Sequence, residues 1–240
     1  MFNCKSCVLT GLLAVAGTSA TAESDIWTYQ GSLYLFAAET KLNAGGVEGK
    51  LSFSDALDNL DFAAMGAFSA SKGQWTFIAD LMYFDLGFEN NTPGPAYSRL
   101  DTDSKTTIFN ALALYKVQET PTYSIHLGGG FRYFDTETTL TLRPGFLPKR
   151  ELSEEDNWTD PVLAAFGQFK LSDQWAATVA VDYGSFVSDR ETYQFTLTFD
   201  YEFADNWMAR IGYRHVNVEN DDSDFRFRQS GPLLGVSYRF

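Results

Sequence analysis

Cysteine is nearly absent: among 240 residues only Cys4 and Cys7 carry a thiol, both close to the start. Neither follows an apolar stretch, as an acylated lipoprotein cysteine would, so the rest of the chain has no disulfide or cysteine metal site. An oxidising compartment is compatible with this chain but not exploited by it. Histidine is as scarce, with His126 and His215 the only imidazole bases. Cations are outnumbered, 18 Lys and Arg against 31 Asp and Glu for a net charge of −13. Such a balance argues against binding nucleic acid through its phosphates. No interior apolar run approaches the roughly 20 residues that a membrane-spanning helix needs. What is plentiful excludes disorder, since 45% of residues are hydrophobic and 16% aromatic.

The first 22 residues combine one cation, Lys5, an apolar run over 8–16, and small residues at Ala20 and Ala22. That arrangement predicts a secretory signal peptide cleaved after Ala22; the run is too short, and too soon broken by Gly17, Thr18 and Ser19, to be a helical anchor. Loss of Lys5 with the leader moves the charge from −13 to −14. Residues 23–240 show no Pro/Gly/Ser linker and no shift in composition, and are expected to form one domain.

Period-two alternation recurs to the end of the chain. In residues 193–203, Tyr193, Phe195, Leu197, Phe199, Tyr201 and Phe203 share one face, while Gln194, Thr196, Thr198, Asp200 and Glu202 share the other. The same parity runs through 175–183, 75–83, 123–133 and 109–117. A soluble β-sandwich also alternates. The aromatics favour a membrane barrel, because Trp75, Tyr123, Trp175 and Trp207 each open a strand just after a short turn, where amphipathic rings form an interfacial girdle. The turns at 71–74, 172–174 and 204–206 are tight, whereas the connections around 88–104, 135–160 and 218–225 are longer and polar. Short turns on one side and long loops on the other correspond to the periplasmic and extracellular ends of a barrel. The segments PheLysLeuSerAspGlnTrp (169–175) and TyrGluPheAlaAspAsnTrp (201–207) share one hairpin pattern.

The expected fold is therefore all-β: a closed antiparallel up-and-down transmembrane barrel of about ten strands, with eight or twelve as alternatives and both termini periplasmic. Strands are expected near 26–38, 62–70, 75–85, 107–117, 123–135, 161–171, 175–186, 192–203, 207–218 and 226–240. Within 40–61, ValGluGlyLysLeuSerPhe offers further pairing, and SerAspAlaLeuAspAsnLeu (54–60) reads as a short helix capped by Ser54, with Leu57 and Leu60 on one side. This segment could cover the outer mouth or enter the lumen.

If the aromatic faces meet lipid, the inward set contains Asp80, Lys116, His126, Arg132, Lys170, Asp182, Asp200, Glu202, Arg210, Arg214 and Arg239. One reading is a network of ion pairs filling a narrow lumen. The other is a selective pore with Arg132, Arg210 and Arg214 on one wall. Few strands enclose little space, which favours filling over passage of small solutes. Gly128, Gly129 and Gly130 lie inside a strand and lack the phosphate-loop pattern, so they are expected to permit bending or close packing beside Phe134. A surface-facing enzyme, a protease or lipid-modifying protein, would have to use a rim histidine, and His215 precedes Asp221, Asp222 and Asp224. The acidic stretches 151–156 and 219–224 do not follow the D-x-[DN]-x-[DN]-G calcium pattern. No catalysis and no cofactor is expected.

The chain ends GlyProLeuLeuGlyValSerTyrArgPhe, with Leu234, Val236, Tyr238 and Phe240 on one face. This resembles the C-terminal signal of bacterial outer-membrane barrels, and with the alternation it makes the chain similar to the small outer-membrane β-barrel superfamily of Gram-negative bacteria. The stretch LeuSerPheSerAspAlaLeuAspAsnLeuAspPhe (51–62) looks similar to an uncharacterised group of proteobacterial outer-membrane proteins. The resemblance implies that Leu234, Val236, Tyr238 and Phe240 are read by the barrel-assembly machinery. It also implies outer-membrane lipids and lipopolysaccharide as partners.

Overall fold

A computed structural model describes residues 26–44, 47–92, 94–186, 189–221 and 225–240; the predicted leader lies outside them. Ten antiparallel strands close into a barrel: β1 (Thr28–Phe36), β4 (Leu60–Lys72), β5 (Trp75–Asn91), β6 (Tyr97–Glu119), β7 (Tyr123–Pro144), β8 (Arg150–Lys170), β9 (Trp175–Gly184), β10 (Arg190–Ala204), β11 (Trp207–Asn220) and β12 (Phe225–Arg239). Each pairs with the next, and β1 pairs with β12, so the ring closes; only higher up, above Leu163 of β8 and Gly66 of β4, does a strand lose one neighbour. The last residue completes the closure: Tyr29 N–H donates to the Phe240 carbonyl and Phe240 N–H to the Tyr29 carbonyl, both at 3.0 Å. The Phe240 ring lies against Tyr29, Tyr238 and Phe68.

Two further strands, β2 (Glu39–Ala44) and β3 (Val47–Leu51), fill the doubtful 40–61 segment. Along β12, the β1 register Phe36↔Leu233 continues unchanged into the β2 register Glu39↔Ser230, so β1 and β2 are one line of chain interrupted at Ala37 and Ala38. β1 leaves β4 after Leu33↔Gly66, and β3 takes the place beside β2 higher up. The helix α1 (Phe53–Asp58) joins β3 to β4, as expected, but its cap is Ser52 rather than Ser54. The Asp55 N–H donates to Ser52 Oγ, and the Ala56 N–H to the Ser52 carbonyl. Leu60 belongs to β4, not to the helix.

Around the ring the connections at one end are two to four residues long, with positive φ at Gly73 and Asn206, against four or five at the other, where Gly94 and Asp189 carry it. At the other end β6, β7 and β8 run for 23, 22 and 21 residues against 10 for β9. A membrane-spanning strand needs only about 9–11 residues, so β5 to β8 continue upward as a tall wall. The expected long loops at 88–104 and 135–160 are therefore mostly strand, with the turns confined to 92–96 and 145–149.

Outward faces confirm the lipid-facing parity. The lower ring of Trp75, Tyr123, Trp175, Trp207, Tyr238 and Phe240 and the upper ring of Phe62, Tyr83, Tyr133, Tyr183, Tyr193 and Tyr213 bound an apolar belt. Trp75 to Tyr83 is eight residues of one strand, about 26 Å at roughly 3.3 Å per residue. Tilt reduces that to roughly 20 Å, close to the apolar band of about 25 Å of such barrels.

Candidate functional site: the lumen

Inward residues divide the lumen into three storeys. At mid-height two arginines reach across the bore. Arg214 on β11 donates to Asp80 Oδ2 on β5 at 2.9 Å and to Tyr34 Oη on β1 at 2.7 Å, while Tyr34 donates to Asp80 Oδ1 at 2.9 Å. Arg132 on β7 donates to Asn110 Oδ1 at 2.7 Å, to Thr192 Oγ1 on β10 at 2.5 Å and to Asp182 Oδ1 on β9 at 2.7 Å. Both guanidinium groups are buried, a position a charge tolerates only when its hydrogen bonds are filled by acids and hydroxyls. Each side chain ties together strands that are not neighbours in the sheet, so the pairs brace the bore as well as fill it.

Above this layer the lumen is an apolar plug. Phe84, Phe134, Trp158, Phe225 and Phe227 are at most 7% exposed and pack ring to ring, Phe134 lying 4.9 Å from Trp158 and 5.3 Å from Phe227. Met82, Ile108, Val216 and Val218 are fully buried around them, with Phe36 and Leu233. Leu51 and Ala56, from β3 and α1, pack against the same cluster, so the 40–61 segment lines the plug rather than standing clear of it. The sequence pattern did not reveal this plug, yet it had a trace. In Tyr83–Phe84 and Tyr133–Phe134 two aromatics are adjacent, and in a strand adjacent residues face opposite ways.

Below the arginines small and polar inward residues are interspersed with a few large apolar ones, and a cavity of about 530 Å³ opens at the short-turn end. Its walls include Ile78, Leu112, Phe166, Thr178, Thr196 and Thr198. Gly128 and Gly130 face inward here, and a Cβ on either would lie about 2 Å from a carbonyl oxygen of β6, so strand curvature itself requires glycine. Asn110 Nδ2, Thr198 Oγ1, Gln194 Oε1 and His126 Nδ1 are buried without a protein partner, as expected of groups that meet water in a hydrated cavity. His126 stands edge-on to Phe166 with ring centroids 5.8 Å apart. Near the mouth, Arg210 donates to Asp200 Oδ1 at 2.5 Å, Thr178 donates to the other oxygen at 3.1 Å, and Lys116 pairs with Glu119 at 2.7 Å. Glu202 and Arg239 line a recess of about 320 Å³ at the same mouth.

The charged residues expected inside form several separate clusters rather than one network. Arg132 and Arg214 hold the mid-height layer, and Asp200 and Arg210 lie below it. Lys170 sits at the rim, paired with Asp173 at 2.8 Å. His215 faces outward at the upper aromatic ring, stacked on Tyr193 at 5.5 Å, with Nδ1 2.6 Å from Ser230 Oγ. Asp221 pairs with Arg226 at 3.6 Å; Asp222 and Asp224 lie outside the described residues. Among the described residues no group of three or more His, Cys, Asp or Glu is placed to hold a metal ion.

No protein-family profile matches the chain, and no curated protein sequence matches it. Solved structures do. The chain is similar to the outer membrane protease OmpT from Escherichia coli, with 10% identity, TM-score 0.63, and coverage of 92% of this chain and 99% of that one. It also aligns with the translocator domain of the autotransporter NalP from Neisseria meningitidis, at 16% identity and TM-score 0.45 over 89% and 88% of the two chains. A third alignment is with Ail, the attachment invasion locus protein of Yersinia pestis, at 12% identity and TM-score 0.37 over 89% and 98%. At such identities the OmpT likeness establishes the fold, that of an outer-membrane β-barrel, and no activity.

Proposed function

We propose that the protein is a non-conducting outer-membrane barrel, a structural element that presents the tall β5–β8 wall at the cell surface. The observation carrying this reading is the filled lumen: the Arg132 and Arg214 braces lie beneath a close-packed aromatic plug and above a cavity that opens at the short-turn end. In this orientation the short turns and both described termini face the periplasm, and the wall and β2–β3 face outward. The apolar belt supports residence among outer-membrane lipids, and Leu234, Val236, Tyr238 and Phe240 remain the expected assembly signal, placed on the closing strand.

Passage of small solutes would require Phe134 and its neighbours to leave the lumen, so the structural role is preferred to a porin-like one. The protein is also read as having no enzymatic activity. This is supported by the outward position of His215, whose contacts among the described residues are Tyr193 and Ser230; His215→Ala should leave any surface protease or acyl-transfer activity unchanged. Planar-bilayer recordings of the purified protein test the main reading. Absence of discrete openings is expected, and stable conductance steps would restore the pore.

A further inference from the structure

Just above the aromatic belt, three cations occupy one row. In the register, Arg228 of β12 is opposite Lys41 of β2, and Lys41 is opposite Lys50 of β3. Like charges in directly opposed positions repel, and evolution ordinarily avoids the arrangement. The neighbouring acids offset it in part: among the described side chains Glu39 serves both lysines, at 3.6 Å and 3.1 Å, and Glu219 lies 3.3 Å from Arg228. All three cationic side chains remain about half exposed or more, at 57%, 62% and 47% for Lys41, Lys50 and Arg228.

Further down the same wall, past Glu39, Ser230, Ala37 and Pro232, the outward positions are aliphatic. Leu33 and Leu35 on β1, Leu234 on β12 and Ile211 on β11 are 71%, 68%, 56% and 52% exposed. The vertical order, cations above an exposed aliphatic strip, matches a lipid standing in the outer leaflet with its phosphate uppermost and its acyl chains below. The opposite face differs in balance, for above its belt the outward positions of β5–β8 carry Asp85, Asp103, Asp135, Glu137 and Glu155 around Lys105, with Arg99 and Arg143 higher up beside Asp101.

We infer that the β12–β2–β3 face is a docking site for a phosphorylated lipid headgroup, with Lys41, Lys50 and Arg228 holding the phosphate and Leu33, Leu35 and Leu234 the chains. The site is independent of the lumen and stands whether or not the barrel conducts.

The test is native mass spectrometry of the folded full chain in detergent, titrated with purified bisphosphorylated lipid A. The wild type should retain it, and Lys41→Gln/Lys50→Gln/Arg228→Gln should bind about tenfold to a hundredfold more weakly. Dephosphorylated lipid A should bind the wild type as weakly as the intact lipid binds the triple variant. Glu137→Gln/Glu155→Gln on the opposite face should leave retention unchanged. Unchanged retention by the triple variant, or equal binding of the dephosphorylated lipid, would overturn the site. Displacement of the lipid by millimolar inorganic phosphate would overturn the lipid assignment in favour of a small-anion site. A heat-modifiable gel shift checks folding, and if the triple variant fails it, Lys50→Gln and Arg228→Gln singly should each weaken retention about threefold to fivefold; no weakening in either would contradict the inference.

Discussion

Above and below the two arginines the lumen is built by opposite rules. The upper half is filled by large apolar side chains such as Phe84, Phe134, Trp158 and Phe227, packed as in the core of a soluble protein. Ala164, Thr178, Thr198 and other small or hydroxyl-bearing residues, interspersed with Ile78, Leu112, Leu114 and Phe166, line the lower half around an open cavity. Backbone pairing differs as well: β8 has no β9 partner above Leu163↔Tyr183 and β4 none in β1 above Leu33↔Gly66, whereas lower down both strands are paired on each side. Closure and hydration can nonetheless be assigned to different residues and altered separately.

The largest effect is expected where the halves meet. Arg214→Ala would leave Asp80 buried without its cation and should cost about 3–5 kcal/mol, read from urea unfolding in micelles by the fraction of heat-modifiable protein. The double change Arg214→Met/Asp80→Leu should recover most of that loss, because a buried pair replaced by apolar groups of similar size is often near neutral. If the single and double variants are equally destabilised, the pair is not the brace described. In the upper half, Phe134→Ala removes the ring that contacts Trp158, Phe225 and Phe227, with an expected loss of about 3–4 kcal/mol. In the lower half, Thr198→Ala removes a hydroxyl with no protein partner and should change stability by less than about 1 kcal/mol. Equal losses for Phe134→Ala and Thr198→Ala would erase the contrast.

The wall above the membrane supplies the smallest effect. Arg143 and Arg99 both contact Asp101 there, and the hydrogen bond from Arg143 is the main cause holding the Asp101 carboxyl below its ordinary range. Because the folded value is the lowered one, this clamp contributes fully above the usual aspartate range and is lost as pH falls through the lowered value. Arg143→Gln should move the Asp101 titration, followed by side-chain carboxyl NMR, upward toward the ordinary value. An unchanged titration would remove Arg143 as the cause.

Strand parity in the belt was legible because lipid demands an apolar outward face, and so Tyr193, Phe195, Leu197 and Phe199 could be assigned from alternation alone. Beyond the belt both faces meet water and the contrast vanishes: Thr136, Glu137, Thr138 and Thr139 give no period, and the wall read as loop. The plug was hidden for the converse reason, since Phe84 and Phe134 make both faces apolar and blur the alternation that Tyr83 and Tyr133 announce. Alternation assigns the charges to the inward face, but their grouping depends on which strands curvature brings across the bore. No spacing in the sequence links Arg214 to Asp80.

The sealed upper half is tested most directly by chemical access to the cavity. Gln168 lines it near the short-turn end, and with cysteine confined to Cys4 and Cys7 in the predicted leader, Gln168→Cys would carry a single thiol. In proteoliposomes, a membrane-impermeant maleimide should modify only the molecules whose short-turn end faces the medium, a fraction scored independently by protease clipping of the tall wall in the oppositely inserted molecules. Modification confined to that fraction is the expected result, and equal modification of molecules inserted with the wall outward would show that the lumen is open.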